Sequence, residues 1–327
     1  TTSRVTRPGF DDAPIYNEGP IVWRYHPLRK EFEVFADGGG NTFGLGFDAE
    51  GRLFSGHNGG NTRGFHFVQN RQYLKQGKNP GKFGPPPNPF SFGELSMMAT
   101  TNPISRFSHF GICVNATALP PRLQGQLLSV DPLHHYLVSS TRTATGSSFK
   151  TSDTGFPLRS DDLTFRPVYL AHAPCGGVIL SDFREQYIAH GQNYQGQIDP
   201  DSGRIYRLRG KEASLIKDRN LETKSSRELI ALLSHDNLWQ RQTAVRLLAQ
   251  RADSTLVPEI KNLLKKAGSH PALEALWVLH QLDKLDPETA LRTLAHPAPM
   301  VRAWTIRLSG DKKNLGPEIF EQIKKRA

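Results

Sequence analysis

The strongest constraint on this chain is a change of composition near residue 210. Seventeen of its 18 Phe, all eight Tyr and 26 of its 29 Gly precede residue 211. Beyond Gly210 the chain turns to Leu, Ala, Lys, Arg and Glu and carries Trp239, Trp277 and Trp304, three of its four Trp. Two architectures are therefore joined within 327 residues, a length suited to about two domains. The expected division is a β domain over 1–210, a linker over 211–225, and helical repeats over 226–327. The linker is expected because that stretch is polar and weakly periodic.

The first part reads as hairpins. Phe43 to Asp48 and Leu53 to Ser55 flank the turn Ala49-Glu50-Gly51-Arg52, where Gly supplies a positive φ. The same shape recurs at Ile21 to Tyr25 with Phe32 to Phe35, at Leu127 to Val130 with Tyr136 to Val138, and at Pro167 to Leu170 with Val178 to Asp182. Hairpins repeating with aromatic and Gly punctuation predict propeller blades. About 210 residues at ~40–45 per blade make four or five blades, so an incomplete ring is expected. A Pro/Gly-rich excursion from Gln76 to Pro103 interrupts them, and long excursions of this kind carry function or cover a face.

The second part reads as helices, with breaks at Ser234 to Asn237, Gly268-Ser269, Asp286-Pro287, His296-Pro297 and Gly310. Pro271, Pro287 and Pro299 fit first helical turns. Leu233, His235, Arg241, Arg246 and Leu247 match Leu294, His296, Arg302, Arg307 and Leu308 at a constant offset of 61. The apolar run Leu273 to Leu279 lies between them. The period is thus about 30 residues, one helical hairpin each, as in a HEAT-type α-solenoid. The expected fold class is multidomain β plus α: a partial propeller followed by that solenoid.

Composition and motifs narrow the function. Net charge is +10, yet the basic residues are scattered, so a solvated basic surface or an acidic partner fits better than nucleic acid. The two cysteines, Cys113 and Cys175, make no CxxC, CxxCH or zinc spacing; they fit either a disulfide or two thiols. No apolar run reaches the ~18 residues of a membrane span. Thr1 is not preceded by Met or an apolar leader, which reads as a processed or truncated start. No Walker loop, G-x-S-x-G elbow or dinucleotide G-x-G-x-x-G follows a strand, which argues against NAD or ATP.

Several phrases together resemble a known family. They are Asn41 to Leu45 with Gly51 to Gly56, Thr62 to Gln69, Arg106 to His109, Ala118-Leu119-Pro120, Phe165 to Val168, and Gly203 to Leu208. They are similar to the membrane-bound dehydrogenases of the large haem-binding, multidomain type. That resemblance implies a propeller related to soluble sugar dehydrogenases, then HEAT repeats, then a c-type cytochrome domain. It implies oxidation of a sugar or other alcohol with electrons passed to the cytochrome, in the periplasm or another extracytoplasmic place. A pyrroloquinoline-type quinone with Ca²⁺ is the implied cofactor, with haem only on a separate domain. The chain departs from the family at Lys82-Phe83-Gly84, where members often have Lys-His-Gly. It departs again at Ala173 to Gly176 and Asp182-Phe183, where they often have Gly-Pro-Asp-Gly and Asp-Trp. A non-enzymatic interaction scaffold is the alternative, since propellers and solenoids both serve as binding surfaces.

Within the implied propeller, loops leaving inner strands would form the site. Ser55 to Arg63 is one, with Asn58 and Asn61 as cofactor contacts. His57 would act as base for an alcohol, and Arg63 would hold a carboxylate or quinone bidentately. His66 and His109 sit among aromatics, as lining or as hydrogen-bonded interior residues. Asp182, with Arg184, closes another strand and would orient substrate or give an oxygen to Ca²⁺. Each also has a plain structural reading: a turn, a cap or an internal ion pair. In the helical part, Arg241, Arg246, Arg302 and Arg307 fit a ridge for an acidic partner or inter-repeat ion pairs, and His235 and His296 fit turn caps.

Overall fold

The computed structural model describes residues 2–5, 15–18, 20–27, 29–41, 43–58, 61–75, 92–104, 107–188, 199–265, 268–311 and 315–325. Most of the Pro/Gly-rich excursion (76–91) lies outside them. The described chain is β in its first part and α in its second, as the composition break requires. It forms two compact units. One comprises 1–114, 120–171 and 178–209; the other comprises 115–119, 172–177 and 210–327.

In the β unit, β1 (Thr2–Val5) pairs antiparallel with β2 (Ile15–Glu18). β3 (Ile21–His26) and β4 (Glu31–Gly39) form a hairpin that β9 (Gln72–Lys75) and β10 (Glu94–Leu95) extend in parallel, giving the order β10-β9-β4-β3. β5 (Leu45–Phe47), β6 (Leu53–Ser55) and β8 (Phe65–Phe67) make an antiparallel sheet. β7 (His57–Asn58) pairs with β12 (Phe107–Ser108). The largest sheet runs β11-β16-β15-β14-β13, with β11 at Ala99–Thr100, β13 at Gly111–Cys113, β14 at Leu127–Asp131, β15 at Tyr136–Thr145 and β16 at Ser148–Arg159. The last sheet is β17 (Pro167–His172), β18 (Val178–Asp182) and β19 (Arg204–Leu208).

All four hairpins expected from the sequence form: β3/β4, β5/β6, β14/β15 and β17/β18. The Gly51 turn has φ +72°, and the carboxylate of Asp48 accepts from the backbone N–H of Glu50 and Arg52. Strands of three sheets converge. An added Cβ on Gly46 of β5 would lie 3.1 Å from the Gly111 carbonyl of β13, and one on Gly44 would lie 2.8 Å from the ring of Tyr169 of β17. Such close approach favours glycine. Aromatic clusters fill the rest, with Phe65, Phe67 and Tyr73 at right angles or stacked. Phe54, Met98, Cys113 and Leu127 form a second cluster.

In the other unit the helices are α1 (Ser226–Leu232), α2 (Leu238–Arg251), α3 (Val257–Leu264), α4 (Ser269–Gln281), α5 (Pro287–Leu294), α6 (Pro299–Asp311) and α7 (Pro317–Lys324). Their starts are chemically specified. Ser225 and Glu228 make a reciprocal capping box, and Asn237 and Asp286 cap α2 and α5. Helices pack as the pairs α1/α2, α3/α4 and α5/α6, and α2, α4 and α6 pack in series. Residues 211–225 belong to this unit, with Leu221 buried in its core beside Leu229 and Leu248. His235 Nδ1 accepts from the Asn237 N–H and His296 Nδ1 from the Ala298 N–H, so both histidines cap equivalent turns. Arg241 is an inter-helix ion-pair donor rather than part of an exposed ridge: its Nε donates to Glu274 at 2.9 Å and both side chains are buried. Cys113 and Cys175 are buried free thiols.

Candidate functional site

His57 stands on β7, one residue beyond Gly56, and its partner across the ladder is Ser108. Three glycines let the backbone close around it. A Cβ on Gly56 would lie 1.7 Å from the Ser108 carbonyl oxygen, and one on Gly64 (φ +130°) 1.9 Å from that of Ser55. A Cβ on Gly40 would fall 1.6 Å from Nδ1 of His57 itself. The His57 ring meets Phe65 edge-on at 5.2 Å. Its Nδ1 has no hydrogen-bond partner among the described residues. His109 lies close by, stacked on Phe43. Burial lowers the pKa of His57, and burial together with the His57 charge lowers that of His109 to about 4. Both imidazoles are therefore neutral at pH 7.

Arg63 reaches the same strands but is fully engaged. Its Nε and Nη2 donate to the two oxygens of Asp153 at 3.0 and 2.5 Å, and Nη1 donates to Ser108 Oγ at 2.8 Å. Arg63 is 3% exposed. This is the bidentate geometry expected for Arg, with an internal carboxylate as its partner. Ser140 Oγ also donates to Asp153. The Asn61 side-chain oxygen accepts from the Ile104 N–H at 2.9 Å. Asn58 is placed on β7; its side chain lies outside the described residues.

His66 belongs to a second cluster. It stacks on Phe54 at 5.1 Å and meets Phe149 edge-on at 5.1 Å. The Arg142 guanidinium lies over Phe54 at 4.5 Å, and Arg52 over Phe149 at 4.9 Å. Buried Asp48 pairs with both arginines. Burial, then the Arg52 charge, brings the His66 pKa down to about 4.

Asp182 and Arg184 stand apart, in and beside the β17–β18–β19 sheet. Asp182 Oδ1 accepts from the Arg166 and Arg184 N–H groups, and Oδ2 from Arg204 Nε at 2.7 Å. The Arg184 side chain donates to Asp199 at 3.1 Å. Thus the structure gathers His57, Arg63 and His109, and holds His66, Asp182 and Arg184 elsewhere. Sequence reading misses Ser108, Asp153 and Gly40. Ser108 lies inside a phrase that the sequence does single out, whereas Asp153 sits mid-strand with no pattern to mark it.

Among the described residues, no group of three or more His, Cys, Asp or Glu could hold a metal ion. Arg63 is committed to Asp153 and Ser108. The described residues at this site therefore do not fit Ca²⁺ or the carboxylates of a pyrroloquinoline quinone. What the site does offer is a buried neutral nitrogen in a glycine-lined wall.

Fold and site define a two-part chain, aromatic-rich β sheets followed by paired helices, with a histidine pair at the glycine-lined strand exit. The chain belongs to the family described as a domain of unknown function (DUF7133), whose model matches residues 16–212. No curated protein matches it. Among solved structures it is similar to a Thermus thermophilus protein assigned provisionally as an oxidoreductase (glucose dehydrogenase). The identity is 18% and the TM-score 0.31, over 54% of this chain and 46% of that one. The match thus spans less than half of that protein's length. No helix of the described residues is long and apolar enough to cross a membrane.

Proposed function

We propose that the β unit is a propeller-like module of a dehydrogenase that oxidises a sugar or other alcohol, with His57 as the proton acceptor. One observation carries this: His57 is a neutral imidazole whose buried Nδ1 has no hydrogen-bond partner among the described residues, against a backbone thinned to glycine. Alcohol oxidation needs a base for the hydroxyl proton while the carbinol hydride leaves for a two-electron acceptor, producing the carbonyl. In this reading a c-type cytochrome receives the electrons. The place would be periplasmic or otherwise extracytoplasmic, and the paired helices would be HEAT-like. Convergence of β5, β13 and β17 from three sheets supports the propeller-like arrangement. The test is dye reduction across a sugar and alcohol panel with quinone and Ca²⁺ supplied. No reduction by any member would remove the reading.

A second reading, a non-enzymatic scaffold, is favoured by the saturation of Arg63, Asp182 and Arg184 with internal partners. It requires that His57→Asn leave every partner interaction of the chain unchanged.

A further inference from the structure

The histidine pair is carried by a very short ladder. Among the described residues, β7 and β12 pair at two positions, Asn58 with Phe107 and His57 with Ser108, and His109 follows directly. Two paired positions do not fix a ladder by themselves, so its place depends on what grips it from the side. Ser108 is fully buried, and its Oγ accepts from Arg63 Nη1 at 2.8 Å. Residues directly opposite in an antiparallel pair share a face. The Arg63 grip and the His57 side chain therefore lie on the same side of the ladder.

Behind Arg63 stands Asp153, and its strand is shaped to deliver it. The β15/β16 register shifts by one between Ser139, opposite Gly155, and Ser140, opposite Asp153. Thr154 is thus the extra residue of a β-bulge, beside Gly155 at φ +149°. A bulge re-aims the side chains next to it. The bulge is tied by Thr154 Oγ1, which donates to the Ser139 carbonyl at 3.1 Å. Asp153 itself is held from two more directions. Its backbone N–H donates to Asn102 Oδ1 at 2.6 Å, and Ser140 Oγ donates to its Oδ1 at 2.7 Å. So placed, its two oxygens take Nε and Nη2 of Arg63, which leaves Nη1 for Ser108.

We infer that Asp153 is a positioning residue for His57: aimed by the bulge, it orients the Arg63 guanidinium, and Arg63 through Ser108 Oγ holds the β7/β12 ladder and the imidazole on it. A bidentate guanidinium–carboxylate pair suits this task because it fixes direction as well as distance. Asp153 and Arg63 act through Ser108 and not on a bound molecule. The placement of His57 stands whatever that imidazole does; its catalytic consequence rests on the dehydrogenase reading.

The test follows the His57 imidazole in the full chain by NMR titration. Burial lowers its pKa, and His109 is the titratable group whose own shift couples to it. Ser108→Ala deletes one hydroxyl; the ladder should loosen, water should reach the ring, and the His57 midpoint should rise toward 6.5. His66, in its own aromatic cluster, should titrate as before in that variant. Asp153→Asn should raise the His57 midpoint in the same way; where it does not fold, Ser108→Ala decides. Tyr73→Phe removes another buried hydroxyl of the β unit and should leave His57 unchanged, which separates positioning from general loosening. Where the chain reduces dye, Ser108→Ala should lower kcat about tenfold or more at nearly constant KM. An unshifted His57 in folded Ser108→Ala, an equal shift in Tyr73→Phe, or a rise in KM alone overturns the proposal. Absence of dye reduction by the parent chain removes the dehydrogenase reading, and the titration then decides the positioning role by itself.

Discussion

His109 lies flat on Phe43, with ring centroids 4.0 Å apart and planes 5° from parallel. The next residue repeats the arrangement, Phe110 stacking on Tyr169 at 4.4 Å and 3°. Two consecutive residues thereby fasten the approach to β5 and the strand β17 to the start of β13. The stack also keeps His109 out of water, which is why its proton affinity falls.

That burial makes stability pH-dependent. His66 and His109 have folded pKa values of about 4 against 6.5 in the open chain. Between those values the unfolded state binds more protons, so stability is full above pH 6.5 and falls as pH drops toward 4. Each buried imidazole contributes up to about 3 kcal/mol to that loss. Urea midpoints between pH 7.5 and 4.5 should show the fall, and His66→Phe should flatten part of it.

Gly40→Ala should displace the buried His57 ring at a cost in stability, because the new Cβ falls 1.6 Å from Nδ1 and 2.8 Å from Cγ, and turning the ring leaves Cγ in place. Gly56→Ala should fail to fold, because its Cβ falls on the Ser108 carbonyl of the neighbouring strand. Imidazole resonances and thermal melting of the two variants separate the outcomes.

Arg63 and Asp153 should behave as one unit. Removing either partner, by Arg63→Met or Asp153→Leu, strands a buried charge and should cost about 3–5 kcal/mol. The double variant should cost clearly less than the two singles summed. Chemical denaturation of the four proteins measures the coupling.

In the helical unit, Arg241→Met should destabilise more than Glu274→Gln. Arg241 closes two turn carbonyls and reaches Asn115 as well as Glu274, so its loss opens several buried acceptors. It also leaves Glu274, whose carboxyl burial already pushes up to about 7, without a counter-ion. The expected cost is about 3–5 kcal/mol, read as a loss in melting temperature.

Much of the fold is legible in the sequence because local chemistry decides it. Gly51 at positive φ, the Ser225–Glu228 box, and Pro287 and Pro317 at helix starts are all specified by neighbours in sequence. So is the offset of 61, which reappears as two matching turns under Arg241 and Arg302. The site is legible only in part. His57 and His109 come together because both belong to the segments that pair at Ser108. Arg63 reads as a ligand-holding side chain, but its partner Asp153 arrives from a strand 90 residues away, and no local pattern encodes such a pairing. Asp182 looks free at a strand exit, yet backbone N–H groups of Arg166 and Arg184 fill it.

The central claim is that His57 takes the proton of an alcohol substrate. The most direct measurement is substrate-dependent dye reduction by the protein and by His57→Asn, side by side, with quinone and Ca²⁺ present and unfolding midpoints recorded for both. The account predicts reduction that falls about 100-fold or more in His57→Asn while the variant remains folded at the assay temperature. Equal reduction by the two proteins, or none by either with any sugar or alcohol, would contradict it.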